Sequence, residues 1–158
     1  DITAGYAINF HLSWKGKGSF LRAKDRTAGD WLIQMPADRI TNEFEFVFSD
    51  RKKWKEPYLK VSMENVMKQT RVPASGNIEI KQTDGTVVMA SDYAPPPAAY
   101  TLIKLEAGVT LHGGKNPLSL IAGADNLLNT AYRDYLNAFR YFSDDKGRNI
   151  WVRLNYSF

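Results

Sequence analysis

The residues best equipped for chemistry lie in the stretch from about Asn129 to Arg148, which holds Tyr132, Arg133, Tyr135, Arg140 and Tyr141. Phenol rings and guanidinium groups at this density suit an anionic ligand. The guanidinium offers charge and a forked set of donors, and the ring offers a stacking face. The same side chains would also pack a loop onto itself or onto a rim, and the sequence leaves both readings open. Trp31 and Tyr93 occupy two other long polar connections and are placed for ligand contact as well, because connections carry binding residues more often than the elements they join. Other chemistries find little support. The chain has no cysteine, so neither a disulfide framework nor a thiolate metal site is possible. His11 and His112 have no carboxylate at ligand spacing, and Asp144-Asp145 is half a calcium site without the loop spacing, so no metal site is expected. There is no G-x-S-x-G elbow, phosphate-binding glycine loop or H-E-x-x-H helix. The reading is therefore of a protein that is not an enzyme and carries no cofactor.

Composition narrows the class further. A net charge of +4 over 158 residues reflects scattered solvated lysines rather than a nucleic-acid footprint. No apolar run reaches the roughly 18 residues of a transmembrane helix. Mean hydropathy, at −0.39, would pass for that of a soluble chain, but membrane barrels alternate apolar and polar residues and average to the same value. The chain opens on DITAGYAINF, already strand-like, and reads as a portion of something longer.

The elements that must position the loop residues are strands. About seven segments alternate with period two. The first sets Tyr6, Ile8, Phe10 and Leu12 on one face, and a turn around Trp14–Gly18 leads to a weak second segment from about Ser19 to Thr27. The third opposes Ile40, Asn42, Phe44, Phe46 and Phe48 to Thr41, Glu43 and Glu45. The fourth opposes Leu59, Val61, Met63 and Met67 to Lys60, Ser62, Glu64 and Lys68. Between the fourth and fifth, Asp84-Gly85 marks a small hairpin in a long connection that ends at the prolines 95–97. The fifth opposes Ile103, Leu105, Ala107, Val109 and Leu111 to Lys104, Glu106, Gly108 and Thr110, and the sixth Leu118, Leu120, Ala122 and Ala124 to Ser119, Ile121, Gly123 and Asp125. The last aligns Ile150, Val152, Leu154, Tyr156 and Phe158 and runs unbroken to the final residue.

Two regularities point to a membrane barrel. Connections alternate short and long, and lysine, arginine and glutamate recur on the non-apolar face, where Arg22, Lys24, Glu43, Glu45, Lys60, Glu64, Lys104, Glu106 and Arg153 are expected to line a wet interior. Short turns on one side and long loops on the other are the habit of outer-membrane barrels, as are aromatic girdles such as Trp14, Trp54, Tyr156 and Phe158 would form. Seven antiparallel strands cannot close on themselves, because the first and last would meet parallel. An open edge in lipid would leave backbone groups unpaired.

The stretch Gly123 to Phe158 resembles the C-terminal end of TonB-dependent outer-membrane receptors. There a D-N-L-x-N motif (here Asp125, Asn126, Leu127 and Asn129) closes the penultimate strand, an aromatic and arginine-rich loop follows, and Gly147-Arg148 opens the last strand. Met35-Pro36 with Arg39-Ile40 is similar to the start of an inward-running strand in that family. The resemblance implies an all-β fold, an antiparallel transmembrane β-barrel of about 22 strands of which residues 1–158 are the C-terminal part of one domain. The N-terminal plug domain and the TonB box would lie outside this chain. It implies active uptake of a scarce ligand, a ferric siderophore or other iron or metal chelate, across the outer membrane of a Gram-negative bacterium. The implied partners are the lipid bilayer, the protein's own plug, the TonB complex and the barrel-assembly machinery, the last reading Ile150, Val152, Leu154, Tyr156 and Phe158 as its signal. A passive porin or adhesin anchor and a soluble β-sandwich binding module are the alternative readings. Replacing Phe158 with Asp is expected to lower the amount of heat-modifiable barrel in outer-membrane fractions. Unchanged levels would count against the assembly signal.

Overall fold

The computed structural model describes residues 1–74, 77–91, 95–112 and 116–156. Phe158 and Tyr93 lie outside them. Seven strands form one antiparallel sheet: β1 (Ile2–Ala7), β2 (Leu12–Ser19), β3 (Arg39–Val47), β4 (Trp54–Val66), β7 (Tyr100–Leu111), β8 (Leu118–Asp125) and β9 (Asn149–Tyr156), in that spatial order. Two further strands, β5 (Asn77–Lys81) and β6 (Val87–Ser91), make a separate hairpin within the β4–β7 connection, where Gly85 takes a positive φ of 85° as its turn requires. Helical structure among the described residues is confined to a 3-10 turn at Ala138–Tyr141. β1 and β9 are the edges, and no described residue pairs them.

Register sorts the side chains. Residues directly opposite share a face, so one row runs Tyr6, Trp14, Phe44, Val61, Leu105, Ala124 and Ile150, and the next Leu12, Phe46, Leu59, Ala107, Ala122 and Val152. The opposite face carries Ser13, Glu45, Lys60, Glu106, Gly123 and Trp151. No second layer of described residues packs on the apolar face. Phe44 is 45% exposed and Val61 37%, although both sit in interior strands. In β4 the alternation is inverted relative to a soluble sheet: Leu59, Val61 and Met63 are exposed, while Lys60, Ser62 and Glu64 between them are half-buried. The buried residues Met35, Ala37, Val66 and Leu102 gather instead at the end of the sheet that carries the long connections.

The polar face is cross-linked by its own charges. Lys60 Nζ lies 3.4 Å from Glu45, 3.9 Å from Glu106 and 4.0 Å from Glu43. Tyr58 donates to Glu106 at 2.8 Å. Of the cations expected on this face, Arg22 and Lys24 are not there. They belong to the β2–β3 connection.

That difference stems from the first two strands, which are shifted from the sequence expectation. The turn is at residues 8–11, not at Trp14–Gly18, and Ser19–Thr27 is no strand beyond an isolated bridge between Lys24 and Trp31. Asn9 makes the turn, its Oδ1 accepting from the backbone N–H of His11 and of Leu12 at 2.8 and 2.9 Å. The glycines read as a turn are strand residues over which rings lie. A Cβ on Gly16 would meet the Trp14 ring at 2.5 Å and one on Gly18 the Phe20 ring at 2.6 Å. Trp14 thus lies inside β2, where its indole N–H donates to Asn42 at 3.2 Å. The short–long alternation survives the shift, with connections 8–11, 48–53 and 112–117 short and 20–38, 67–99 and 126–148 long.

Val61 and Ser62 stand mid-strand on opposite faces. In lipid vesicles, Val61→Arg is expected to cost about 2–4 kcal/mol of unfolding free energy and Ser62→Arg under about 1 kcal/mol. Equal costs would show that the apolar face does not meet hydrocarbon.

Candidate functional site

At the long-connection end three clusters of polar groups fix the loops that carry the candidate ligand contacts. The first explains the D-N-L-x-N motif. Asn126 and Asn129 both take positive φ, 48° and 55°, a conformation that asparagine tolerates better than most residues. Asn126 is 4% exposed. Its Oδ1 accepts from the Thr130 N–H at 2.8 Å and its Nδ2 donates to the carbonyls of Thr130 and Lys146 at 2.9 and 3.3 Å. Asn129 Oδ1 accepts from the Arg148 N–H at 2.9 Å and sits where a Cβ on Gly147 would come within 2.9 Å. Leu127 N–H donates to the Ile103 carbonyl, and Asp125 accepts from the Trp151 indole at 3.1 Å. The motif therefore stops β8, sends the chain out into the loop, and grips it again where β9 begins.

The second cluster surrounds Asp38, whose side chain is only 11% exposed. Arg22 donates to it at 2.7 and 2.9 Å, and Arg71 at 2.7 and 3.2 Å, two forked pairs on one carboxylate. The hydrogen bond from Arg22 and the charge of Arg71 hold the Asp38 carboxyl below the usual carboxylate range, against the opposing effect of burial. Its stabilisation is complete above that range and is lost as pH falls through the lowered value. Gln69, fully buried, ties the same two connections together by donating to the carbonyls of Met35 and Pro36 at 2.8 and 3.0 Å.

The third cluster joins the β9-side loop to the sheet. Arg39 and Tyr100 both donate to Asp134 Oδ2, Tyr100 at 2.7 Å, and Arg39 also reaches Glu64 at 3.4 Å. Desolvation raises the Asp134 pKa, but the bonds from Tyr100 and the Leu136 N–H and the charge of Arg39 outweigh it and lower the net value. The Tyr100 and Tyr132 rings stand 4.6 Å apart. Around them is a polar cavity of about 350 Å³, lined in part by Lys104, Asp145 and Lys146.

The candidate ligand residues divide accordingly. Tyr132 lines that cavity. Arg140 stacks over Tyr135 and Tyr141, 4.2 and 4.6 Å from the ring centres, and donates to the Tyr135 carbonyl and the Tyr141 hydroxyl. Arg133 is engaged by Asp144 at 2.6 Å and by the Arg140 carbonyl at 2.9 Å. Trp31 lies in a different loop with Lys24 Nζ 4.7 Å over its ring. The Arg-Tyr pairs thus brace their own loop, while Tyr135, Tyr141 and Arg133 keep exposed or half-exposed surface. Asp38, Arg71 and Gln69 carry no signal in the sequence, and Arg39 stands out only as part of a strand start, because their partners lie far along the chain and no local spacing marks them. No group of three or more His, Asp or Glu among the described residues could hold a metal ion, and no described helix is long and apolar enough to cross a membrane.

No protein-family model matches the chain, and no curated protein matches it in sequence. Among solved structures it is similar in fold to the copper transporter OprC, with a TM-score of 0.71 over 99% of this chain and 19% identity. The match occupies 22% of OprC, so the chain spans about a fifth of that transporter's length. The likeness shows an antiparallel, all-β fold shared with part of a transporter.

Asn126→Ala is expected to cost about 1–3 kcal/mol, by leaving the Thr130 and Lys146 groups unpaired. Leu128→Ala, at the exposed position of the same motif, should be neutral in the same urea titration. Equal effects would show that the motif does not pin the loop.

Proposed function

We propose that this chain is wall and outer-loop surface of an outer-membrane β-barrel, the C-terminal strands of a TonB-dependent receptor that takes up a scarce metal complex. The observation that carries the reading is the exposed apolar face of the interior strands, set against a polar face on which Lys60 gathers Glu43, Glu45 and Glu106. A sheet of that kind is stable where its outside is hydrocarbon and its inside is wet. The two free edges then call for further strands, since unpaired backbone groups in lipid are costly. The long connections belong on the outer surface, and the Tyr132 cavity and the exposed parts of Tyr135, Tyr141 and Arg133 supply stacking and positive charge to an anionic chelate. OprC is a copper transporter, which favours metal as the cargo element. A ferric siderophore fits the cationic and aromatic loop better than a bare ion does, because a bare cation gains nothing from guanidinium groups. Energy would come through TonB, and the plug and TonB box from segments outside this chain.

The test is uptake by cells that depend on the full receptor, with radiolabelled ferric trishydroxamate, ferric triscatecholate and copper(II) as probes. The expected result is receptor-dependent accumulation of one ferric chelate against its gradient, abolished when TonB is deleted. Arg133→Ala should weaken it several-fold, while barrel levels stay unchanged. Uptake that merely equilibrates, or that persists without TonB, would contradict the proposal and point to a passive pore.

A further inference from the structure

The apolar face is interrupted beside the β3–β4 turn by a notch of about 840 Å³, lined by Phe48, Trp54, Ala107, Val109, Leu120 and Ala122. Its origin is in the register. Ala107 and Ala122 face each other directly, in the row that elsewhere holds Phe46, Leu59 and Val152. Two small side chains there leave a gap. A bulge between Lys55 and Tyr58, with Glu56 at φ 50°, displaces the start of β4 and leaves Trp54 55% exposed at the mouth.

Charge surrounds only the turn end of this notch. Asp50 and Arg51 line it, and Lys52 and Lys53 follow in the same turn. None of the three side chains has a hydrogen-bond or ion-pair partner among the described residues; Arg51 and Lys53 are bonded through their backbones alone. The two acids nearby do not neutralise them: Asp50 is held by Lys55 at 3.2 Å and by the Glu56 N–H at 2.8 Å, and the Glu56 side chain is exposed. An apolar slot of ligand size, an interfacial tryptophan and unpaired cations at one end together match one amphiphile. We propose that this notch binds a two-chain anionic glycerophospholipid, an acyl chain lying against Ala107 and Ala122 and the phosphate at Arg51 and Lys52. The assignment rests on the membrane-wall reading, in which the short turns lie at the inner leaflet.

Native mass spectrometry of the full receptor in mild detergent tests it, with phosphatidylglycerol and phosphatidylcholine of identical chains as probes. Phosphatidylglycerol should be retained preferentially. Arg51→Gln should reduce that retention about fivefold, as expected for one basic residue at a membrane surface, with phosphatidylcholine unaffected. Ala122→Phe, which fills the slot, should lower both. Equal retention of the two lipids, or phosphatidylglycerol retention unchanged in both variants, would overturn the site. A receptor that remains a heat-modifiable barrel while showing no lipid preference sinks the lipid site alone. A protein that stays monomeric and soluble without detergent sinks the membrane-wall reading with it.

Discussion

The row that runs from Tyr6 through Trp14, Phe44, Val61, Leu105 and Ala124 to Ile150 depends on pairing in six consecutive strand interfaces. Because successive side chains point to opposite faces, a slip of one residue in β3 would bring Glu43 or Glu45 into that row and Phe44 among the charges. The cost of such a slip depends on what the apolar face meets, and in hydrocarbon it is severe. Register is therefore the quantity that the other features protect. The cluster of Lys60 with Glu43, Glu45 and Glu106 ties three strands on the polar side, and Trp151 over Gly123 keys β9 to β8, since a Cβ on that glycine would meet the ring at 2.5 Å.

The ends of the strands are held by different means. At the long-connection end, Asp38 between two arginines and Gln69 between two carbonyls bind the β2–β3 connection to the one that follows β4. Asn126 and Asn129 do the same for the loop before β9. Asp38, Gln69 and Asn126 are buried with hydrogen-bond partners, which makes them costly to disturb. At the short-turn end one asparagine suffices for the first turn, and Asp50 fastens the second by accepting from the Glu56 N–H. A rigid base at the loop end holds side chains such as Tyr132 and Arg133 at fixed positions, as the proposed ligand capture would require.

Much of this was legible in the sequence where period two was unbroken. β3, β7, β8 and β9 fall where alternation places them, and Asp84-Gly85 makes its hairpin, because each shows apolar–polar contrast. β4 keeps the expected faces but begins at Trp54, inside the expected turn, where a bulge between Lys55 and Tyr58 breaks the period, and ends at Val66 before Met67 and Lys68. The first two strands were misplaced for a specific reason. W-K-G-K-G has the composition of a turn, yet its glycines are there to let Trp14 and Phe20 lie flat on the strand, and Asn9 was the turn residue. In the loops, residue types were informative and partnerships were not. Arginines and tyrosines of the last loop were visible as a group, but that Arg140 would be spent bracing Tyr135 and Tyr141 depends on a 3-10 turn at Ala138–Tyr141. The Asp38 clamp joins residues 16 and 33 positions away, a distance at which no local pattern operates.

Everything above turns on the medium that meets the apolar side of the sheet. Spin labels placed singly from position 102 to 110 of β7 in the membrane-reconstituted full protein, with relaxation measured against oxygen and a water-soluble nickel chelate, read that medium residue by residue. A period-two pattern is expected, with oxygen contact high at 103, 105, 107 and 109 and the nickel chelate excluded there. Low contact with both reagents at those four positions would mean that protein covers the face, and would contradict the membrane-wall reading.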